Sequence, residues 1–340
     1  MTILVTGGAG YIGSHMVHAL LDSGERVVVL DHLSTGFDWA VPQRAPLIVG
    51  ESGDQRLVRD IIRDHDVEAI IHFAASVVVP DSVRDPLAYY RNNTVNSRAL
   101  IECAVQNGVR HFIFSSTAAV YGNPIELPVH EDAPTLPISP YGWSKLMTEI
   151  MLRDASHAHG LSHVILRYFN VAGADPQGRT GQSTAGATHL IKVAVEAAVG
   201  LRSELHVFGT DYPTPDGTCI RDYIHVGDLV LAHCEALRAL RSAAPSLTLN
   251  CGYGHGFSVR EVIDAVKRVS GIDFTVRTAP PRAGDAAMVV ADTTQIRKTL
   301  AWQPRFDDLE MIVRDALAWE RKLAARRGKP DSARAAVERV

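Results

Sequence analysis

The chain has 340 residues, 46% of them apolar and 21% charged, and its 34 basic against 38 acidic side chains give a formal charge of −4. That length and apolar share are enough for a full buried core in one large or two unequal domains without covalent staples. The acidic balance argues against a nucleic-acid binder. The four scattered cysteines (Cys103, Cys219, Cys234, Cys251) argue against a disulfide frame or a zinc site, and no apolar run reaches about 18 residues, as a membrane span would require. The expectation is a cytoplasmic protein with no metal and no nucleic-acid or membrane partner.

In chain order, short β-branched runs predict strands over Ile3–Thr6, Val27–Leu30, Leu47–Val49, Ala69–Phe73, His111–Ser115 and His163–Arg167. Amphipathic stretches predict helices between them, near Ile12–Ser23, Asp54–Asp64, Pro86–Asn107 and Tyr141–His157. Strands alternating with helices imply βαβ units, hence an α/β fold with a doubly wound parallel sheet. The texture changes after Asn170. Val171–Gly186 and Asp211–Gly217 read as loops, with helices at Ala187–Val199, His225–Leu240, Ser258–Ser270 and Asp307–Arg321. Strands are expected at Leu205–Phe208, Thr248–Asn250 and Phe274–Arg277, and a fraying tail from Lys322. The division predicted is a Rossmann-type domain over 1–170, rejoined by about 222–250, a smaller α/β unit from 171–221 and 251–320, and a tail over 321–340.

Gly7-Gly8-Ala9-Gly10-Tyr11-Ile12-Gly13 joins the first strand to the first helix. Its glycines fit GxxGxxG. They permit a tight turn and a close backbone approach to a pyrophosphate, and the helix N-terminus beyond adds free N–H groups and partial positive charge. Asp31 ends the second predicted strand, where a carboxylate bonds ribose hydroxyls and repels a 2′-phosphate, so NAD is expected rather than NADP. Tyr141 and Lys145 stand at i and i+4 on a helix, and of the nine tyrosines only Tyr141 has lysine four residues on. A nearby cation stabilises phenolate, which makes Tyr141 a candidate acid/base. The bland alternatives are a glycine turn with a solvated Asp, and a surface Tyr laid on a Lys stem. The order of strand, glycine loop and helix weighs against the first. The position of the pair after the fifth strand weighs against the second.

Together these residues resemble the extended short-chain dehydrogenase/reductase family, and within it the nucleotide-sugar epimerases. The resemblance rests on VTGGAGYIGSH at 5–15, HFA at 72–74, Tyr89 to Asn93, FIFSS at 112–116, VYG at 120–122, SPYGWSKLMTE at 139–149, LRYFN at 166–170 and DYPTPDGTCIRDYIHV at 211–226. It reaches to about residue 320. It implies that Tyr141 takes the proton of the sugar 4-hydroxyl, that Lys145 tunes the phenol and bonds the nicotinamide ribose, and that Thr117 bonds the 4-oxygen. Gly7, Gly10, Tyr11, Ile12 and Gly13 would hold the NAD pyrophosphate. Asp31, His32, Leu33, Ser34, Thr35 and Gly36 would line the adenosine ribose, with Glu51 near the adenine. Phe73, Ala74, Ala75, Asn92 and Phe169 would line the rest of the cofactor site. Asn170, Leu190, Phe208, Arg221, Tyr223, Arg282 and Asp285 would hold UDP. The implied reaction is inversion at C4 of a UDP-hexose through a transient 4-keto sugar, in a homodimer with resident NAD.

Several positions depart from the family's pattern. Glu51 stands where an Asp is usual, Val77 where some relatives carry Lys, and Thr188-His189 where an Asn pair precedes Leu190. Val289 stands where some relatives carry Tyr, and leaves room for a 2-N-acetyl group. The rivals are a sibling 4,6-dehydratase or decarboxylase, and a non-catalytic NAD-binding protein. Against the dehydratase, Thr117 is followed by Ala118-Ala119, not by the acid pair that such enzymes carry. Against the binding protein stands the intact Thr117, Tyr141 and Lys145 set.

Overall fold

The computed structural model describes residues 1–282 and 285–327. Its centre is a seven-stranded sheet. The first six strands in the chain are β1 (Thr2–Thr6), β2 (Arg26–Asp31), β3 (Leu47–Val49), β4 (Val67–His72), β5 (His111–Thr117) and β6 (Ser162–Tyr168), and Leu247–Cys251 is the seventh. They lie in the order Leu247–Cys251, β6, β5, β4, β1, β2, β3, all parallel. The chain therefore reverses its direction of travel at β1 and β4, and the crevice of such a sheet opens at the carboxyl ends of those strands.

Both faces of the sheet are covered, which is why its strands read as near-continuous apolar runs. Side chains alternate across a strand, so Ile3 and Val5 join one core with Met16 and Val17 of the helix Tyr11–Asp22. Leu4 joins the other, with Val58 and Ile62 of the helix Gln55–His65. The first core continues without a break through Val262, Ile312 and Val313 of the C-terminal helices. The Gln55 helix starts at Asp54, whose carboxylate accepts from Arg56 N and Leu57 N.

The expected strands and helices of the first 170 residues are present, with two differences. Val79–Arg84 is a short helix that Pro80 hid, since a proline reads as a break yet suits a first helical turn. The long helix expected over Pro86–Asn107 is interrupted by a π-helical stretch, Tyr90–Val95, between Pro86–Tyr89 and Asn96–Gln106.

Beyond Asn170 the structure adds strands too short to show a period. Asn170–Ala172 pairs in parallel with Tyr223–His225, inside what reads as a loop. Ile220–Arg221 lies between Phe257–Ser258 and Met288–Val289. The strands expected at Leu205–Phe208 and Phe274–Arg277 are present as Glu204–Phe208 and Thr275–Ala279, which pair in parallel. The helix expected from Ala187 begins at Leu190, with His189 as its cap residue. The helix Val259–Ser270 starts on a reciprocal cap between Ser258 and Glu261. A helix at Thr294–Thr299 was not foreseen, and the last helix runs Leu309–Arg327 rather than stopping at Arg321. Leu323, on the added turns, is 5% exposed, and its burial extends the helix into the expected tail. Residues 328–340 of that tail lie outside the described residues. Among the described residues no helix is long and apolar enough to cross a membrane.

Candidate active site

A cleft of about 470 Å³ lies along the carboxyl edge of the sheet. Its cofactor-side wall includes Gly7, Gly10, Tyr11, Ile12 and Gly13 after β1, Asp31, His32 and Thr35 at β2, Glu51 after β3, and Phe73, Ala74 and Ala75 after β4, with Asn92 from the π-turn. Thr117, Tyr141, Lys145, Phe169 and Asn170 stand next along the edge, and Arg221, Asp285 and Val289 close the far end. One cavity thus gathers most of the residues that the sequence picks out.

The glycine loop has no room for side chains. Gly7 holds φ at +73°, and a Cβ there would meet Ala74 N at 2.6 Å; one on Gly13 would meet Gly7 O at 2.1 Å. The helix beyond starts at Gly10 with no side-chain cap and no acidic residue in its first turn. Its first N–H groups are left for an anion, as the pyrophosphate of a dinucleotide requires. Asp31 Oδ2 accepts from Ala9 N at 2.9 Å and Oδ1 from Leu33 N at 2.8 Å. The carboxylate therefore braces the glycine loop, and each oxygen keeps a second lone pair for a ribose hydroxyl. These features fit NAD.

Three residues expected along the adenosine ribose are otherwise engaged. Leu33 turns into the first core at φ +59°. The Ser34 amide and hydroxyl lie 3.4 Å from the two ring nitrogens of His32. Gly36 packs on the Ala9 backbone, where a Cβ would come within 2.8 Å of Ala9 C. These three shape the turn rather than line the cleft.

Tyr141 opens the helix Pro140–His159, which Ser139 caps by accepting from Gly142 N at 3.2 Å. The phenol is buried, and burial pushes it up to about 12; the facing Thr117 hydroxyl works in the opposite direction. Lys145 donates from Nζ to Ser115 O at 2.8 Å and lies 4.9 Å from the Phe114 ring centroid. Burial brings it down to about 7, against the pull of Glu149. In the protein alone burial is the largest influence on each group, and the positive charge that bound NAD would bring beside the phenol is not yet acting. The pair rests on an ion pair behind it: Arg167 and Glu149 meet at 2.6 Å, both almost wholly buried, and Ser116 donates to Glu149 at 2.5 Å.

At the substrate end the expected set divides. Leu190 and Tyr223 line a small adjoining cavity of about 30 Å³, which shares Tyr11, Asn170, Gln182 and His189 with the cleft. Phe208 and Arg282 do not line the cleft. The Arg282 guanidinium lies 3.8 Å from the Phe208 ring centroid and covers the ring expected to meet uracil, because a planar cation stacks on an open aromatic face. Arg221 donates to Ile220 O at 2.9 Å, with Asp285 4.0 Å away. Sequence reasoning did not select Gln182 or Thr184, which line the cleft from a loop without periodic pattern. His189, which lines it too, has its imidazole held down by burial. Among the described residues no group of three or more His, Cys, Asp or Glu is placed to hold a metal.

Fold and site together define a dinucleotide-binding α/β protein whose cofactor edge carries a buried Thr, Tyr and Lys set. Residues 3–252 match the model of the NAD dependent epimerase/dehydratase family, and the chain belongs to that family. It is 58% identical to the UDP-glucose 4-epimerase of Azospirillum brasilense over 321 residues, 94% of this chain and 92% of that one. The crystal structure of the Brucella ovis UDP-glucose 4-epimerase in complex with NAD superimposes with a TM-score of 0.91 at 42% identity, covering 93% of this chain and 97% of that one. The UDP-Glc/GlcNAc 4-epimerase of Campylobacter jejuni does so at 0.83 and 50% identity, covering 94% and 99%.

Proposed function

We propose that this protein is an NAD-dependent UDP-glucose 4-epimerase that interconverts UDP-glucose and UDP-galactose. The observation that carries the reading is the meeting of Thr117, Tyr141 and Lys145 with the glycine loop in one cleft whose far end holds Arg221. When bound, NAD supplies a positively charged ring that takes up the hydrogen and electron pair of the sugar C4–H bond and returns them to the other face. Tyr141, in the phenolate form that Lys145 and the positive charge of bound NAD would favour, accepts the 4-hydroxyl proton and later gives it back, while Thr117 holds the 4-oxygen. Lys145, anchored on Ser115 O, adds positive charge beside the phenol as the proton leaves. Arg221 grips the diphosphate, so binding energy is placed away from the sugar, which stays free to turn. Ala118 and Ala119 line the cleft where a dehydratase would need an acid, which favours epimerisation over elimination.

Residues 1–170 and 222–250 form the cofactor unit, and 171–221 with 251–320 form the UDP-sugar unit. Leu190, Tyr223, Phe208 and Arg282 join the nucleotide site once Arg282 leaves the Phe208 ring. Val289 leaves space for an N-acetyl group, so the UDP-N-acetylhexosamine pair is a second substrate pair. The protein is a cytoplasmic homodimer. Trp143, Met147 and Ile150 lie exposed on one face of the Pro140 helix, with Leu87 and Val95 exposed on the neighbouring helical segment. An apolar face of that kind suits a second copy.

The test is to incubate the protein with UDP-galactose, without added NAD, and to follow UDP-glucose by chromatography. Turnover that collapses in Tyr141→Phe supports the reading. No turnover with NAD supplied overturns it for this substrate, and a 4-keto-6-deoxy product would make the protein a dehydratase.

A further inference from the structure

Behind the cleft runs a line of polar side chains that the chemistry above does not use. Thr6, His72, Ser97, Asn93 and Ser144 are each at most 2% exposed. Thr6 Oγ1 lies 2.6 Å from His72 Nδ1, and His72 Nε2 lies 2.8 Å from Ser97 Oγ. Ser97 donates its only hydroxyl proton to the backbone carbonyl of Asn93. His72 must therefore donate from Nε2, which leaves Nδ1 to accept from Thr6, so the tautomer follows from the network itself. The Asn93 amide completes the line. Its Nδ2 donates to Ser144 Oγ at 3.0 Å and to Ser76 O at 2.9 Å, while its Oδ1 accepts from Ser76 N at 2.7 Å. Ser144 in turn donates to Tyr141 O at 2.7 Å.

The ends of this line are informative. Thr6 is the last residue of β1, next to Gly7; His72 is the last of β4, next to Phe73. Ser144 lies between Tyr141 and Lys145 on their helix. Asn93, in the π-helical stretch Tyr90–Val95, joins the two ends: its carbonyl accepts from Ser97 and its side-chain amide donates to Ser144. That stretch turns Asn92 into the cleft and buries Asn93 behind it.

We infer that Asn93 and Ser97 are positioning residues, and that the line from Thr6 to Ser144 sets the first turn of the Tyr141 helix at a fixed distance from the glycine loop. This inference rests on the epimerase reading for its consequence: the phenol and the cofactor ring would share one buried ruler. Neutral hydrogen-bonded links of this kind are directional and, once buried, have no water to replace a missing partner. A lost link therefore shifts the helix, and a displacement of about 1 Å costs up to about a hundredfold in rate.

The test compares Ser97→Ala, which removes the link between His72 and Asn93, with Ser97→Thr, which keeps the hydroxyl. Both are assayed as purified holoenzyme. The expected result is a kcat at least about tenfold lower in Ser97→Ala with KM unchanged, and recovery in Ser97→Thr. A smaller loss of kcat, a change confined to KM, or a lower melting temperature alone overturns the inference. Ser144→Ala, which cuts the last link, replaces Ser97→Ala if the latter does not fold. Wild-type turnover in the same assay judges the epimerase reading separately. If the wild type is inactive, chemically reduced resident cofactor gives the second readout: a changed emission in Ser97→Ala supports the inference, and an unchanged one overturns it.

Discussion

The cofactor wall of the cleft is built from strand ends. Gly7 follows β1, Asp31 ends β2, Phe73 follows β4 and Thr117 ends β5, so the register of one parallel sheet places them all. The substrate wall has no such frame. Arg221 and Val289 sit on two-residue strands, Asp285 on none, and Gln182 and Thr184 on a loop. A sheet buried on both faces tolerates little displacement, whereas short strands and stacked side chains have alternatives close in energy. The Arg282 guanidinium lying on Phe208, in place of a base, illustrates that freedom.

The rigid and the pliable wall should respond differently to substitution. Removing the phenol from the rigid side has the largest expected effect. Tyr141→Phe should lower kcat by about 10²- to 10⁴-fold, with NAD retained and KM little changed. A variant that also lost its NAD would show that Tyr141 serves the wall rather than the chemistry.

Next comes the support beneath it. Arg167→Met leaves the Glu149 carboxylate buried without its partner, which costs about 3–5 kcal/mol. Urea unfolding should read that loss; an unchanged midpoint would mean that water reaches the pair.

Acid should also strike the sheet side. Burial lowers His15, His163 and His233 to about 4, and burial together with the Lys145 charge brings His72 to about 3. An unfolded chain binds those protons near pH 6.5. Their stabilisation is therefore complete above about 6.5 and is lost progressively as pH falls toward the folded values. The melting temperature should drop over that window, and His233→Phe should shrink the drop.

On the pliable side, Arg221→Ala should raise KM for the UDP-sugar about tenfold or more with kcat nearly unchanged, since it removes grip and not chemistry. A fall in kcat alone would place Arg221 at the reacting centre. The smallest expected effect is a change of preference. Val289→Tyr should lower activity on the N-acetylated pair relative to the plain pair, and an unchanged ratio would remove Val289 from the sugar pocket.

Local pattern determined much of this protein. β1, the glycine loop and the helix behind it were legible because turn chemistry and a change of period meet within a dozen residues. The Tyr141 and Lys145 pair was legible because helical spacing alone puts the two on one face. Only the tertiary structure decided the rest. The two-residue strands exist through partners far along the chain, as Met288 pairs with Ile220, and so carry no period of their own. The π-turn at Tyr90–Val95 has no local spacing signal, and the line from Thr6 to Ser144 joins β1, β4, the helical run through Asn93 and Ser97, and the Pro140 helix, which only packing brings together. The burial of Tyr141 and Lys145, and its pull on both groups, was likewise beyond local pattern. Spacing along a helix reveals which groups are neighbours, but burial sets how strongly charge is disfavoured, and burial is a property of the whole fold.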